Sequence, residues 1–164
     1  MSKESVQELE RGDEAPGFEL PGVDGDKHSL DDFSGYDALL VVFTCNHCPY
    51  AQAKIPVLNS LAEEYDDVAV VGVNPNDPDE YPEDSFDRMK ELAESGEIRY
   101  DAYLRDESQQ VAESYGAVCT PDPFLFRNDD GTFRLAYHGR LDDALNPDEE
   151  PSRHHMREAL ESVL

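Results

Sequence analysis

Three cysteines, Cys45, Cys48 and Cys119, are the residues of this chain best suited to chemistry. Two lie in the run Cys45-Asn46-His47-Cys48-Pro49-Tyr50, and the third directly precedes Thr120-Pro121. Proline suits the first position of a helix, where its missing N–H costs nothing. With Pro49 in that position, Cys48 takes the N-cap. A thiolate there faces unsatisfied N–H groups and the positive end of the helix dipole, which lower its pKa below the usual value of about 8.5. Cys45, at the end of the preceding strand, lacks that help. Cys48 is therefore the expected nucleophile, in preference to the ordinary C-x-x-C register that would start the chemistry at Cys45. Its resolving thiol is Cys45 or Cys119. The first requires a turn that brings the two Cα atoms within about 7 Å. Inert buried thiols are common for cysteine in general. A helix-start cysteine with a second thiol three residues away and a third beside Thr-Pro argues against that state here. Five neighbours stand as supporting residues. His47 is placed to orient the thiolate or shuttle a proton, Tyr50 to cover the sulfur, and Thr120 to hydrogen-bond near it; Pro121 and Thr44 complete the set.

The elements that must position these residues follow from pattern. Residues 1–12 form a polar lead. Phe18, Leu20, Asp24-Gly25 and His28-Leu30 predict a short hairpin turning at the Asp-Gly pair. The unbroken apolar runs 38–43 and 68–73 predict strands covered on both faces. Between them Ala51, Ile55, Leu58, Leu61 and Tyr65 recur at helical spacing. This βαβ order implies parallel strands. Phe86, Met89 and Leu92 mark a second helix, and 100–104 a short strand. Asp106 and Gln109 resemble a capping box opening a third helix. Residues 124–126 and 132–138 flank turn residues Asn128 to Gly131 as a hairpin. A last helix, opened by Pro151, carries Met156, Leu160 and Val163 on one face.

This order resembles the thioredoxin superfamily, in particular its redoxin and AhpC/TSA peroxiredoxin-like branch. The residues that carry the resemblance are Ala15-Pro16-Gly17-Phe18-Glu19-Leu20, the Cys45 to Tyr50 run, Pro56 and Thr120-Pro121. It implies an α/β fold, a three-layer α/β/α sandwich with a mixed central sheet and an N-terminal hairpin extension, over residues 13–164. It also implies a cis-proline loop at Thr120-Pro121, with Cys119 opposite Cys48. Proteins of this branch carry a proline eight residues after the nucleophilic cysteine, and Pro56 stands eight after Cys48.

Peroxiredoxins resemble one another in a P-x-x-x-T-x-x-C signature. Aligned on Cys48, Val41 holds the proline place and Cys45 the threonine place; Thr44 is one residue off, turned to the other side by strand alternation. Thiol–disulfide exchange requires only an accessible thiolate and a second thiol nearby, and ranks first. Peroxide reduction by Cys48 ranks second. A copper or zinc site built from Cys45, His47 and Cys48 and closed by His138, His154 or His155 ranks third. No cofactor is implied. The expected partners are protein or low-molecular-weight thiols and disulfides, with hydroperoxide as an alternative substrate.

The chain has 164 residues, 38 acidic against 13 basic, and a formal net charge of -25. Such a surface repels nucleic acid and anionic membranes. The acidic excess is spread along the whole chain, which points to a salt-rich cytosol, that of a halophile. The first residues contain no apolar signal segment, and the expectation is a soluble cytoplasmic protein. Salt at molar strength shortens the Debye length to roughly 3 Å and quenches self-repulsion. Thermal unfolding followed by circular dichroism is therefore expected to show a melting temperature that climbs steeply from dilute buffer to molar KCl; an unchanged melting temperature counts against the assignment to high salt.

Overall fold

Six consecutive apolar residues, Ala38–Phe43, form β3, and Val68–Asn74 form β4; every residue of both strands is buried. Strands with no polar face belong at the centre of a sheet covered on both sides, and there they lie. The structure, a computed structural model, describes residues 10–46, 49–75, 82–117, 122–139, 141 and 154–164. Its remaining elements are β1 (Glu19–Pro21), β2 (Lys27–Ser29), α1 (Pro49–Glu64), α2 (Phe86–Glu94), β5 (Ala102–Arg105), α3 (Gln110–Tyr115), β6 (Asp122–Asp129), β7 (Thr132–His138) and α4 (His155–Val163).

The five-stranded sheet runs β5-β4-β3-β6-β7. Strands β3, β4 and β5 are parallel; β6 runs antiparallel to β3, and β7 antiparallel to β6. Alternate residues of β3 feed two cores. Leu39, Val41 and Phe43 pack with Phe18, Phe33, Phe124, Phe126 and the α3 residues Ala112 and Tyr115. Ala38, Leu40 and Val42 pack with Leu58 and Leu61 of α1 and Met156 and Leu160 of α4. Helices therefore cover both faces of a mixed sheet, the expected three layers.

The β1–β2 hairpin turns where expected, with Gly25 at φ +92°. Asp24 holds His28 Nε2 at 2.8 Å across the turn. Gly22 bridges Leu104, and Val23 N–H donates to the Tyr103 carbonyl at 3.1 Å. These contacts cover the open edge of β5, which would otherwise offer unpaired backbone groups. The β6–β7 hairpin closes through Asp130 (φ +55°) and Gly131 (φ +94°), the paired positive φ of a two-residue turn whose twist suits the flanking strands.

Three details depart from the sequence reading. Asp106 is no capping box with Gln109: its carboxylate takes the N–H groups of Val111 at 3.4 Å and Ala112 at 2.8 Å. Gln109 stands before α3 in the left-handed region and donates its side chain to the Pro75 carbonyl. Strand β5 begins at Ala102 rather than Tyr100. The polar lead to residue 9 and Pro151 lie outside the described residues.

Gly72 in β4 is a close-approach position. A Cβ there would lie 2.8 Å from Tyr100 Cδ2 and 3.0 Å from Tyr103 Cδ1. Both rings are held edge-to-face, 5.7 Å apart, and have little room to give. Gly72→Ala is expected to destabilise by about 1–3 kcal/mol through overpacking, read by chemical denaturation.

Candidate active site at the turn between β3 and α1

The parallel strands β3, β4 and β5 end together at Phe43, Asn74 and Arg105, the edge where α/β sheets present their ligand sites. The chain leaves β3 through Thr44, whose N–H donates to Val73 O at 2.8 Å. Cys45 follows with 2% of its surface exposed. Helix α1 begins at Pro49, as its missing N–H favours. Leu58 and Leu61 anchor α1 to the sheet, and Asn59 ties its middle to the segment before β5 through Glu97 O at 2.9 Å and Arg99 N–H at 2.7 Å. Pro56, inside the helix, leaves the Gln52 carbonyl without its usual N–H partner.

Between β3 and α1 stands Asn46, buried and held by three groups. Its N–H donates to Asp84 Oδ1. The Tyr103 hydroxyl donates to its Oδ1 at 2.7 Å, and Gln52 Nε2 to its carbonyl at 2.6 Å. Asp84 also accepts from Asn74 Nδ2 at 3.1 Å. Arg105 Nη1 reaches the carbonyls of Asn74 at 3.3 Å and Asp84 at 3.2 Å, while its Nη2 is buried without a hydrogen-bond partner. Burial, with the Tyr100 phenol second, pushes the Tyr103 phenol well above its usual range, so it remains a protonated donor to Asn46. Beside this cluster lies an open groove of about 670 Å³, lined among others by Asn46, Gln52, Ile55, Arg88 and Arg99.

The structure thus places Cys45 and Thr44 at the turn, both buried, with Thr44 Oγ1 lacking a hydrogen-bond partner. Tyr50 lies in the first turn of α1. His47, Cys48, Cys119, Thr120 and Pro121 lie outside the described residues, as does the side chain of Tyr50. The chain emerging from residue 121 enters β6 at Asp122, which pairs with Phe43. Strand β6 therefore opens beside the strand end from which Cys45 departs. Of the histidines weighed for a metal, His138 is held by Asp122 at 2.6 Å, and His154 and His155 sit at the start of α4. Among the described residues no three His, Cys, Asp or Glu side chains are grouped to hold an ion.

Sequence reasoning missed the Asn46–Asp84–Tyr103–Arg105 cluster and the Asp122–His138 pair. The available signal was a polar residue closing an apolar strand, as Asn74 and Arg105 do, or opening one, as Asp122 does.

A mixed sheet with the helix after its central strand starting at a Cys-x-x-Cys-Pro run defines a thioredoxin-fold oxidoreductase. Residues 11–136 match the AhpC/TSA family, and the chain belongs to it. It is 33% identical over 135 residues to the thiol:disulfide interchange protein DsbE of Pseudomonas fluorescens biotype C, covering 82% of this chain and 70% of that protein. It is 27% identical over 153 residues to peroxiredoxin Bcp of Escherichia coli K12, covering 90% and 91%. An uncharacterized conserved protein from Geobacillus kaustophilus shares the fold with a TM-score of 0.86 at 37% identity, over 96% of this chain and 84% of that one.

Removing the Asp84 carboxylate takes away the acceptor of the buried Asn46 N–H and one of the acceptors of the Asn74 amide, which keeps the Tyr103 hydroxyl at 3.4 Å. Asp84→Ala is expected to destabilise by about 2–4 kcal/mol, and Asp84→Asn, which keeps an acceptor, by less. Denaturant unfolding in molar KCl reads both. The loss in Asp84→Ala should also raise the accessibility of Cys45 to a thiol reagent.

Proposed function

We propose that this protein carries out thiol–disulfide exchange, with Cys48 as nucleophile and Cys45 or Cys119 as resolving thiol. The observation that carries the reading is the start of α1 at Pro49, the residue that follows Cys48 in the sequence. A thiolate in that place is stabilised by the first N–H groups and the helix dipole. The Cys48 thiolate attacks the disulfide of a protein or low-molecular-weight partner, forming a mixed disulfide and releasing one partner thiolate. The second protein thiol then attacks the Cys48 sulfur, releasing the other partner thiol and leaving a protein disulfide. Two electrons pass to the partner. The burial of Cys45 suits the second step, which is intramolecular, and not the first, which requires access. His47, Tyr50, Thr44 and Thr120 are assigned to the surroundings of the sulfur. The acidic surface suits a salt-rich cytoplasm, where screening permits approach of anionic disulfides.

Peroxide reduction at Cys48 is the second reading, favoured by the similarity to peroxiredoxin Bcp along nearly its whole length. The position of Cys45 where a peroxidase signature carries threonine weighs against it.

Cys48→Ser is expected to reduce turnover of insulin disulfides in molar KCl to the background rate. Of Cys45→Ser and Cys119→Ser, the variant lacking the resolving thiol should accumulate the mixed disulfide, visible as an intact-mass adduct. Full activity in Cys48→Ser overturns the assignment. Peroxide consumption orders of magnitude faster than that of a simple thiolate would replace exchange with peroxidase chemistry.

A further inference from the structure

The groove beside Asn46 has no part in the exchange reaction as described. It runs between α1 and α2, with Gln52, Ile55 and Pro56 on one side and Arg88 and Leu92 on the other. Gln52 to Ser60, its extent along α1, is about 12 Å of helix, the length of about four extended residues. Ile55 and Leu92, 8% and 6% exposed, make its walls partly apolar. The Gln52 side chain is turned to the Asn46 carbonyl, while its own carbonyl, one turn before Pro56, has no helical N–H to accept. Both residues line the groove, so this open acceptor lies on the groove side of α1. The charge there is inverted against the rest of the molecule. Two arginines and one glutamate, Glu97, are among the lining residues, whereas the chain carries 38 acidic against 13 basic residues. Arg88 stands 3.8 Å from Glu91, and among the described residues its guanidinium makes no hydrogen bond. Arg99 gives Nε and Nη2 to Glu63 at 3.3 Å each and Nη1 to the Gly96 carbonyl at 2.8 Å, which leaves part of its donor fork open.

We propose that this groove binds a short acidic peptide segment of a partner protein. A carboxylate of the segment takes the open Arg88 fork as a bidentate pair, the geometry a planar guanidinium favours. An apolar side chain beside it covers Ile55 and Leu92, and a peptide N–H donates to the Gln52 carbonyl. The walls are set in advance. Asn59 ties α1 to the segment before β5 through the Glu97 carbonyl and the Arg99 N–H, and Gln52 ties it to Asn46, so docking orders little of the protein. Pairs in direct contact survive molar salt, whose screening length is roughly 3 Å, whereas the long-range repulsion of an acidic segment by the acidic surface does not. A basic segment would set its cations against Arg88 and Arg99. The binding involves no cysteine and stands independently of the exchange function.

The test titrates the full chain, in molar KCl, with the tetrapeptide Leu-Glu-Leu-Glu, acetylated and amidated so that only side chains carry charge, and with Leu-Lys-Leu-Lys as its charge-reversed counterpart. Followed by amide NMR, the glutamate probe should shift Ile55, Arg88, Leu92 and Arg99 and leave β7 unmoved, and the lysine probe should bind about tenfold more weakly. Arg88→Glu, at an exposed position, should reverse that preference. Pro56→Ala, which returns an N–H to the Gln52 carbonyl, should weaken the glutamate probe severalfold. Equal binding of the two probes by the wild type, as a merely apolar groove would give, overturns the proposal, and so does a folded Arg88→Glu that keeps the wild-type preference. Groove shifts that follow protein concentration without any probe would assign the groove to a second copy of this chain and overturn it as well.

Discussion

Everything at this site depends on one asparagine held from three sides. Asn46 has its N–H, side-chain oxygen and carbonyl each engaged by a different element: Asp84 before α2, Tyr103 in β5 and Gln52 in α1. Burying so many polar groups is costly unless they satisfy one another. The arrangement is therefore all-or-none, and it fixes Asn46 where the chain leaves β3. The residues that follow, up to Pro49, begin from a fixed point.

That fixed point exists because the sheet brings three strand ends together. Parallel pairing of β3, β4 and β5 aligns Phe43, Asn74 and Arg105 at one edge. Asn74 and Arg105 can then close the polar cluster at the ends of the buried strands β4 and β5. The antiparallel strand β6 meets the same edge from the other side, which brings Asp122 to Phe43. Thiol chemistry requires a sulfur partly shielded from water, a stabilised anion and a route for a proton. The edge offers a buried thiol at Cys45 and a helix start at Pro49.

The surface works against this chemistry at low salt. A net charge of -25 raises the cost of any thiolate and repels anionic disulfides. Arg88 and Arg99 in the groove beside Asn46 are local exceptions, each near a glutamate, at 3.8 Å from Glu91 and 3.3 Å from Glu63. Screening by salt reconciles such a surface with an active thiol.

Much of the fold was legible because its signals are local. The runs 38–43 and 68–73 declare themselves by unbroken apolarity, the stripe from Ala51 to Leu61 by helical spacing, and the hairpin turns by Asp-Gly. Pro49 marked the start of α1 because proline favours that one helical position. What the sequence by itself determined is therefore the order and kind of elements; it also nominates the three cysteines for the proposed chemistry. The tertiary structure alone decided which polar residues converge. Asn46, Asn74, Asp84, Tyr103 and Arg105 are up to 59 positions apart in the chain, and Asp122 meets Phe43 only through sheet pairing. The Asp106 contact to α3 was misread for a related reason: its carboxylate bypasses Gln109 and reaches five and six residues ahead, a choice set by the left-handed backbone at Gln109. Local pattern reports what a segment prefers, whereas hydrogen-bond partners are chosen by whichever groups the packed sheet leaves within 3 Å of one another.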